Sequence, residues 1–167
     1  MKRKTITTND GSSSIFVPEL NENYHSVHGA IQESRHVFIK KGLDTRLTMQ
    51  PISILEVGFG TGLNALLTLQ KCTQDEIFVK YVGIEKHPIT LQEVGTLNHG
   101  KLLKMEQELL TLHNYEWGET HLFNSFCSVK KLKHDLLKEE LHGCFDLVYY
   151  DAFAPNKQQE MWSKKVF

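Results

Sequence analysis

No run of apolar residues in this 167-residue chain approaches the ~18–20 needed to cross a bilayer, which excludes a membrane-spanning helix. The first residues, MKRKTITTNDGSSS, are basic and polar but carry no apolar core, so they do not form a secretory signal. An excess of either charge is missing too: the formal net charge is −1 at pH 7, so charge alone points to neither an acidic nor a basic partner. The three cysteines, Cys72, Cys127 and Cys144, are far apart and form no CxxC. That spacing argues against zinc or redox chemistry and for buried, reduced thiols in a cytoplasmic protein. Among nine histidines only His25 and His28 stand at ligand-like spacing, and no cysteine or acid cluster completes a metal set.

What is present is an alternation of strand and helix signals. Ile52, Ile54, Leu55 and Val57 make a short apolar run ahead of glycines, the mark of a strand buried on both faces. Leu63, Leu66, Leu67 and Leu69 then recur at near-helical spacing. The segment 77–84 predicts a second strand ending at Glu85, and Pro88 suits the first turn of a helix over 89–99. A helix over 101–113 follows, then a third strand within 120–132 and a short helix over 134–141. The apolar segment 144–151 predicts a fourth strand ending at Asp151, and a helix begins near Gln158. Residues 15–39 read as irregular or partly helical. This order implies an α/β fold with a doubly wound, mostly parallel sheet built by right-handed crossovers.

In such sheets ligands sit at the carboxyl ends of the strands. Gly58, Gly60 and Gly62 form GxGxG directly between the first strand and its helix. There glycine permits a tight turn and close approach of a ligand to backbone, with helix N–H groups facing it. The P-loop pattern is absent, and Leu63 replaces the small residue a dinucleotide fingerprint requires. A GxGxG turn preceded by the acid Glu56 better suits S-adenosyl-L-methionine, which has a ribose diol, an adenine and an amino-acid end but no phosphate. Glu85 is placed to accept from the ribose hydroxyls and Asp135 to meet the adenine amine. Either could instead cap the helix that follows it.

The segment YYDAFAPNKQQEMWSKKVF is more specific. Pro155 fixes its own backbone and pushes Ala154 toward an extended conformation, so the loop after Asp151 is stiff. Together with Gly58-Phe59-Gly60-Thr61-Gly62-Leu63-Asn64, with Glu85-Lys86-His87-Pro88-Ile89-Thr90, and with Glu33-Ser34-Arg35-His36-Val37-Phe38, this stretch resembles the MnmC-type methyltransferases. The likeness runs from about Glu19 to Phe167. His36 stands where the family has Tyr, and His134 where it often has Gly.

The resemblance implies a class I (Rossmann-like) methyltransferase fold that uses S-adenosyl-L-methionine. The expected reaction is N-methylation of a 5-aminomethyl group on the wobble uridine of tRNA. Asp151 occupies the family's active-site acid position. Glu56, Gly58, Phe59, Gly60, Thr61, Gly62, Asn64, Glu85, Lys86 and Asp135 match its cofactor contacts. Phe153, Pro155 and Arg35 are the candidate substrate contacts, with the anticodon loop of tRNA as partner and no metal or membrane involved. Candidate cations for RNA are Lys2 to Lys4, Arg35, Lys40, Lys41, Lys130 to Lys133 and Lys157, while Trp162 and Phe167 are expected to hold a helix on the sheet. The fold normally continues past the position of Phe167 with a further strand and a hairpin. Hence the expectation is a frayed segment 1–14, then a methyltransferase domain over 15–167 that is C-terminally incomplete and leaves an apolar sheet edge. Two alternatives accompany this reading: an inactive or truncated cofactor-binding scaffold that serves a partner subunit, and an N-methyltransferase for another amine.

Overall fold

A computed structural model describes residues 2–167. Its centre is a five-stranded sheet in the order β6-β7-β5-β4-β8. The members are β4 (Ile52–Val57), β5 (Val79–Glu85), β6 (Thr120–Leu122), β7 (Cys127–Lys133) and β8 (Leu147–Tyr150). β4 pairs parallel to both β5 and β8, β5 pairs parallel to β7, and β6 alone is antiparallel. The chain therefore travels outward from β4 to β7 and returns to place β8 on the other side of β4. That reversal opens a crevice at the carboxyl ends of β4 and β8.

One face carries the main core. Helix α2 (Leu63–Asp75) lays Leu63, Leu66 and Leu69 against Ile52, Ile54 and Tyr81, all buried. Shortening Leu66 to Ala would cost about 2–5 kcal/mol by transfer and cavity terms. The short helices α3 (Leu91–Val94), α4 (His99–Leu103) and α5 (Glu106–Asn114) complete that layer. A capping box at Thr90 and Glu93 starts α3. On the opposite face a smaller cluster of Leu55, Val57 and Ile84 is covered by Leu136, Leu141 and Phe145 from turns and loops and by Met161 from a 3-10 turn, Gln159–Trp162.

Several expectations are corrected. Of the segment 1–14, residue 1 lies outside the described residues and 2–14 are not frayed: β1 (Lys4–Thr7) and β2 (Ser13–Val17) form an antiparallel sheet with β3 (Glu22–Asn23). The Asp10 carboxylate ties the turn, accepting from the Ser12 hydroxyl, Ser12 N (2.9 Å), Gln32 N and the Thr8 hydroxyl, and against desolvation these bonds hold its pKa down at about 2. The third strand is a hairpin, β6 and β7, turned where Asn124 Oδ1 accepts from Phe126 N. The segment 134–141 forms no helix: Asp135 takes Leu137 N in a local turn while its carboxylate pairs with Lys86. Too few residues follow to propagate from that single turn. The fourth strand begins later than expected, at Leu147, and Cys144 lies exposed before it, whereas Cys72 and Cys127 are buried. Over 15–39 the chain is β2, β3 and α1 (Ala30–Ser34), with a π-helical stretch, Arg35–Lys40, that sets Phe38 against Tyr149 at 5.1 Å between ring centroids. β8 is an outer strand of the sheet, with Val148 half exposed. No helix of the described residues is long and apolar enough to cross a membrane.

Candidate active site

Above the carboxyl ends of β4, β5 and β8 lies a cavity of about 770 Å³. Its floor is the turn from β4 to α2. Two of that turn's glycines are required by geometry. Gly58 has φ +91°, and a Cβ there would lie 2.6 Å from the Asp151 carbonyl oxygen. Gly60 has φ +50° and faces the Tyr24 ring, 3.0 Å from where its Cβ would be. No side chain caps α2, so its first-turn N–H groups are left to a ligand. The turn is also gripped from behind. Thr61 is buried, its hydroxyl shares a hydrogen with His25 Nε2 (2.8 Å), and its carbonyl accepts from His113 Nε2 (3.0 Å). Burial keeps both imidazoles neutral, pulling His25 down to about 3 and His113 to about 4.

The acids behave differently from one another. Glu85, at the end of β5, lines the cavity and accepts from Gly60 N (3.0 Å) and His87 N (2.8 Å), so it ties the glycine turn to the loop after β5. Asp135 also reaches the cavity, and its Oδ2 lies 3.0 Å from Lys86 Nζ, the main cause of its lowered pKa. Asp151 caps the end of β8, with its backbone N bonded to Val57 O and its Oδ2 accepting from Asn64 Nδ2 at 2.8 Å. Burial lifts its pKa to about 7 against the Asn64 hydrogen bond, with the Glu33 charge adding to the rise. A carboxyl titrating near neutrality at a cavity wall can accept a proton from a substrate.

Other side chains sit elsewhere than the sequence suggested. Glu56 does not reach the cavity; it is fully buried beneath the turn. Asn64 and Lys86 do line the cavity, where Asn64 is hydrogen-bonded to Asp151 and Lys86 is paired with Asp135. Phe59 turns its ring into the core, edge-on to His113 and Trp117, in space that a Cβ on Gly83 would invade at 2.5 Å. Arg35 is exposed on the π-helical stretch and lines no part of the cavity; its neighbour Glu33 does, because α1 presents that face. Phe153 and Pro155 both line it. Lys131 is buried rather than basic surface: it donates to His113 O (2.8 Å) and lies over Trp117 (4.8 Å). Arg3 is likewise engaged, with Tyr24 Oη and the carbonyls of His87 and Pro88. Trp162 stands at the cavity rim on a 3-10 turn, its Nε1 donating to Phe153 O (2.8 Å).

Sequence reasoning missed the wall opposite Phe153. The β2–β3 turn and the segment after it, with Tyr24 and His25, close over the cavity. Tyr24 meets Phe153 edge-to-face at 5.4 Å, and Lys157 Nζ bridges the two walls by donating to Asn21 O. The only signal was the Glu33-Ser34-Arg35 motif downstream. Among the described residues no three His, Cys, Asp or Glu side chains converge as metal ligands would.

This arrangement fits S-adenosyl-L-methionine. It offers free helix N–H groups for a carboxylate, an acid for a diol, and no cluster of cations for phosphates. A family model described as S-adenosyl-L-methionine-dependent methyltransferase matches residues 103–167. The chain is 32% identical, over 97% of its length, to the tRNA 5-methylaminomethyl-2-thiouridine biosynthesis bifunctional protein MnmC of Cupriavidus metallidurans, of which it covers 26%. It is 30% identical, over 89% of its length, to the protein of the same name from Leptospira interrogans, of which it covers 25%. It thus spans about a quarter of the length of these relatives. The crystal structure of MNMC2 from Aquifex aeolicus superposes with a TM-score of 0.76 at 28% identity, over 97% of this chain and 53% of that one. By its motifs, its Rossmann-like sheet and these likenesses, the chain is similar to the S-adenosyl-L-methionine-dependent methyltransferases of the MnmC type.

Proposed function

We propose that the chain methylates the primary amine of a 5-aminomethyluridine, 2-thiolated or not, at the wobble position of tRNA in the cytoplasm. The observation that carries this reading is the placement of Asp151. Its half-buried carboxyl, oriented by Asn64, closes the same cavity that the glycine turn and Glu85 form. S-adenosyl-L-methionine would supply an activated methyl group. The glycine turn, Thr61 and the start of α2 would hold its amino-acid end, Glu85 its ribose, and Asp135 with Lys86 its adenine side. We assign the methyltransferase domain to the whole described chain, N-terminal hairpin included, because that hairpin supplies one cavity wall.

The remaining work falls to residues of this chain. An alkylamine is mostly protonated at pH 7, with a reference pKa near ~10, and an ammonium has no lone pair to attack with. Asp151 attracts that ammonium, receives its proton and aims the lone pair. Phe153 and Tyr24 offer aromatic edges and faces to a base drawn out of the anticodon stack. The names of the relatives, which concern tRNA 5-methylaminomethyl-2-thiouridine biosynthesis, support the choice of substrate.

The test uses this chain, S-adenosyl-L-methionine and tRNA from cells lacking the modification, read by nucleoside mass spectrometry. Conversion of aminomethyluridine to its methylaminomethyl form is expected. Donor binding by calorimetry without any change in the tRNA nucleosides would reject the substrate.

A further inference from the structure

Behind the glycine turn sits a charge that the reaction as described does not use. Lys131, on β7, is buried, and among the described residues no carboxylate pairs with it. An ammonium so placed is costly unless something else answers its charge. Its Nζ donates to His113 O at 2.8 Å, in the last turn of α5, where the helix dipole leaves partial negative charge. It also lies over the rings of Trp117, at 4.8 Å, and Phe59, at 5.8 Å. The strand register accounts for the second ring: Lys131 stands beside Gly83 of β5, and Phe59 fills the space where Gly83 has no side chain.

His113 and Phe59 are also the side chains packed closest behind the turn. A Cβ on Gly62 would lie 3.0 Å from His113 Nε2 and 3.3 Å from the Phe59 ring. His113 Nε2 is 3.0 Å from Thr61 O, which can only accept, so the ring carries its hydrogen on Nε2 and leaves Nδ1 bare. The Thr61 carbonyl belongs to the same planar peptide as Gly62 N, which donates to Phe59 O (2.9 Å) and closes the turn. One rigid unit thus takes both the grip of the imidazole and the turn's own bond. The links run unbroken from Lys131 through the end of α5 and the His113 ring to the peptide that precedes α2.

We propose that Lys131 is a positioning residue for the donor: its ammonium anchors the carboxyl end of α5 and so sets the His113 ring, which holds the Thr61 peptide and the start of α2 in the donor-binding form. Lys131 touches neither donor nor substrate, and its requirement is for a cation reaching the His113 carbonyl. The inference rests on the reading of the glycine turn as the seat of S-adenosyl-L-methionine.

Two measurements test it. Lys131→Met keeps the length of the side chain without its charge. It should weaken S-adenosyl-L-methionine binding about tenfold by calorimetry, the worth of a hydrogen bond from a charged group. Its Tm should hold or rise, because an apolar side chain replaces a buried ion. Donor affinity within about threefold of wild type, or a loss matched by a lower Tm, overturns the inference. His113→Ala keeps the carbonyl that Lys131 bonds and removes the ring through which it acts. In that background Lys131→Met should cost less than about threefold further; a full tenfold there would mean a route other than His113, and also overturns it. Absence of donor binding in the wild type would remove the seat itself, and the inference with it. The second measurement takes nitrogen NMR spectra of isotope-labelled histidine in the ligand-free wild type at about pH 7, with His113 assigned by its loss in His113→Ala. A neutral ring protonated on Nε2 is expected, and an Nδ1–H tautomer or an imidazolium overturns the inference. This arm needs neither donor nor tRNA, so its outcome is independent of the proposed reaction.

Discussion

Asp151→Asn is expected to destroy activity and stabilise the fold, and the second effect has a calculable pH signature. Burial raises the Asp151 pKa from 3.8 to about 7. A carboxyl whose native pKa is raised binds protons more tightly in the folded state. Its favourable contribution is therefore complete below pH 3.8 and is lost as pH rises through about 7. At about 1.4 kcal/mol per unit the full shift amounts to about 4 kcal/mol. Asp151 retains some surface exposure, so half of that, about 2 kcal/mol, is the better figure. For a chain of this size about 2 kcal/mol is ~4–8 °C in Tm. Asparagine does not titrate, so Asp151→Asn should match the wild type near pH 4 and melt higher by that amount near pH 8, in urea or thermal unfolding without donor. Titrations of groups not coupled to Asp151 cancel in the comparison. Methyl transfer should fall by about 10²–10⁴ while donor binding survives. A gap that is constant with pH, or widest at low pH, refutes the argument that the site holds an ionising carboxyl against its environment.

Gly58→Ala places a methyl 2.6 Å from the Asp151 carbonyl on a backbone at φ +91°, and should lower stability by about 2–3 kcal/mol and donor affinity at least tenfold by calorimetry. His25 is held neutral by burial with a pKa of about 3, so the unfolded chain takes up its proton first and stability falls as pH drops below 6.5. The acid side of a stability profile should accordingly be shallower in His25→Gln; an unchanged slope means the imidazole is not insulated. Phe153→Ala should raise the KM for tRNA about 5–30-fold, equivalent to ~1–2 kcal/mol of base stacking, and leave donor affinity within about twofold by calorimetry.

The sheet was legible because its central strands are governed by local pattern. Ile52–Val57 and Val79–Glu85 are apolar runs bounded by glycine, proline or acid, and both form, the second starting two residues later than read. Glu85, Asp135 and Asp151 line one crevice for the same reason: each ends or follows a parallel strand, and topology sends them there. What was not legible depends on partners distant in sequence. The N-terminal hairpin is polar and short, and its order comes from contacts such as Arg3 with Tyr24 and the loop after β5. Burial of Lys131 beneath Trp117 and Phe59 has no signature in a run of lysines. Glu33 rather than Arg35 faces the cavity because α1 ends in a π-helical stretch, which changes the side-chain period just there.

The balance of charge in the crevice carries one more consequence. Glu85, Asp135 and Asp151 surround it with Glu33 nearby, and among the described residues only Lys86 answers them, through Asp135. Such a site favours a cation, and both proposed reactants are cationic: the sulfonium donor and the ammonium acceptor. Methyl transfer neutralises the sulfur, so the spent donor, S-adenosylhomocysteine, loses its attraction to Asp151 at the moment it must leave. A charge pair 4 Å apart at the effective dielectric of a protein surface is worth about 4 kcal/mol before desolvation, and a third of that surviving gives about tenfold in affinity. The wild type should bind S-adenosyl-L-methionine about tenfold more tightly than S-adenosylhomocysteine, relative to the same ratio in Asp151→Asn, at low salt and about pH 8 by calorimetry. Equal ratios in the two proteins would mean that the carboxylate ending β8 does not act on the transferring methyl, and Asp151 would then have to be reassigned to the substrate alone.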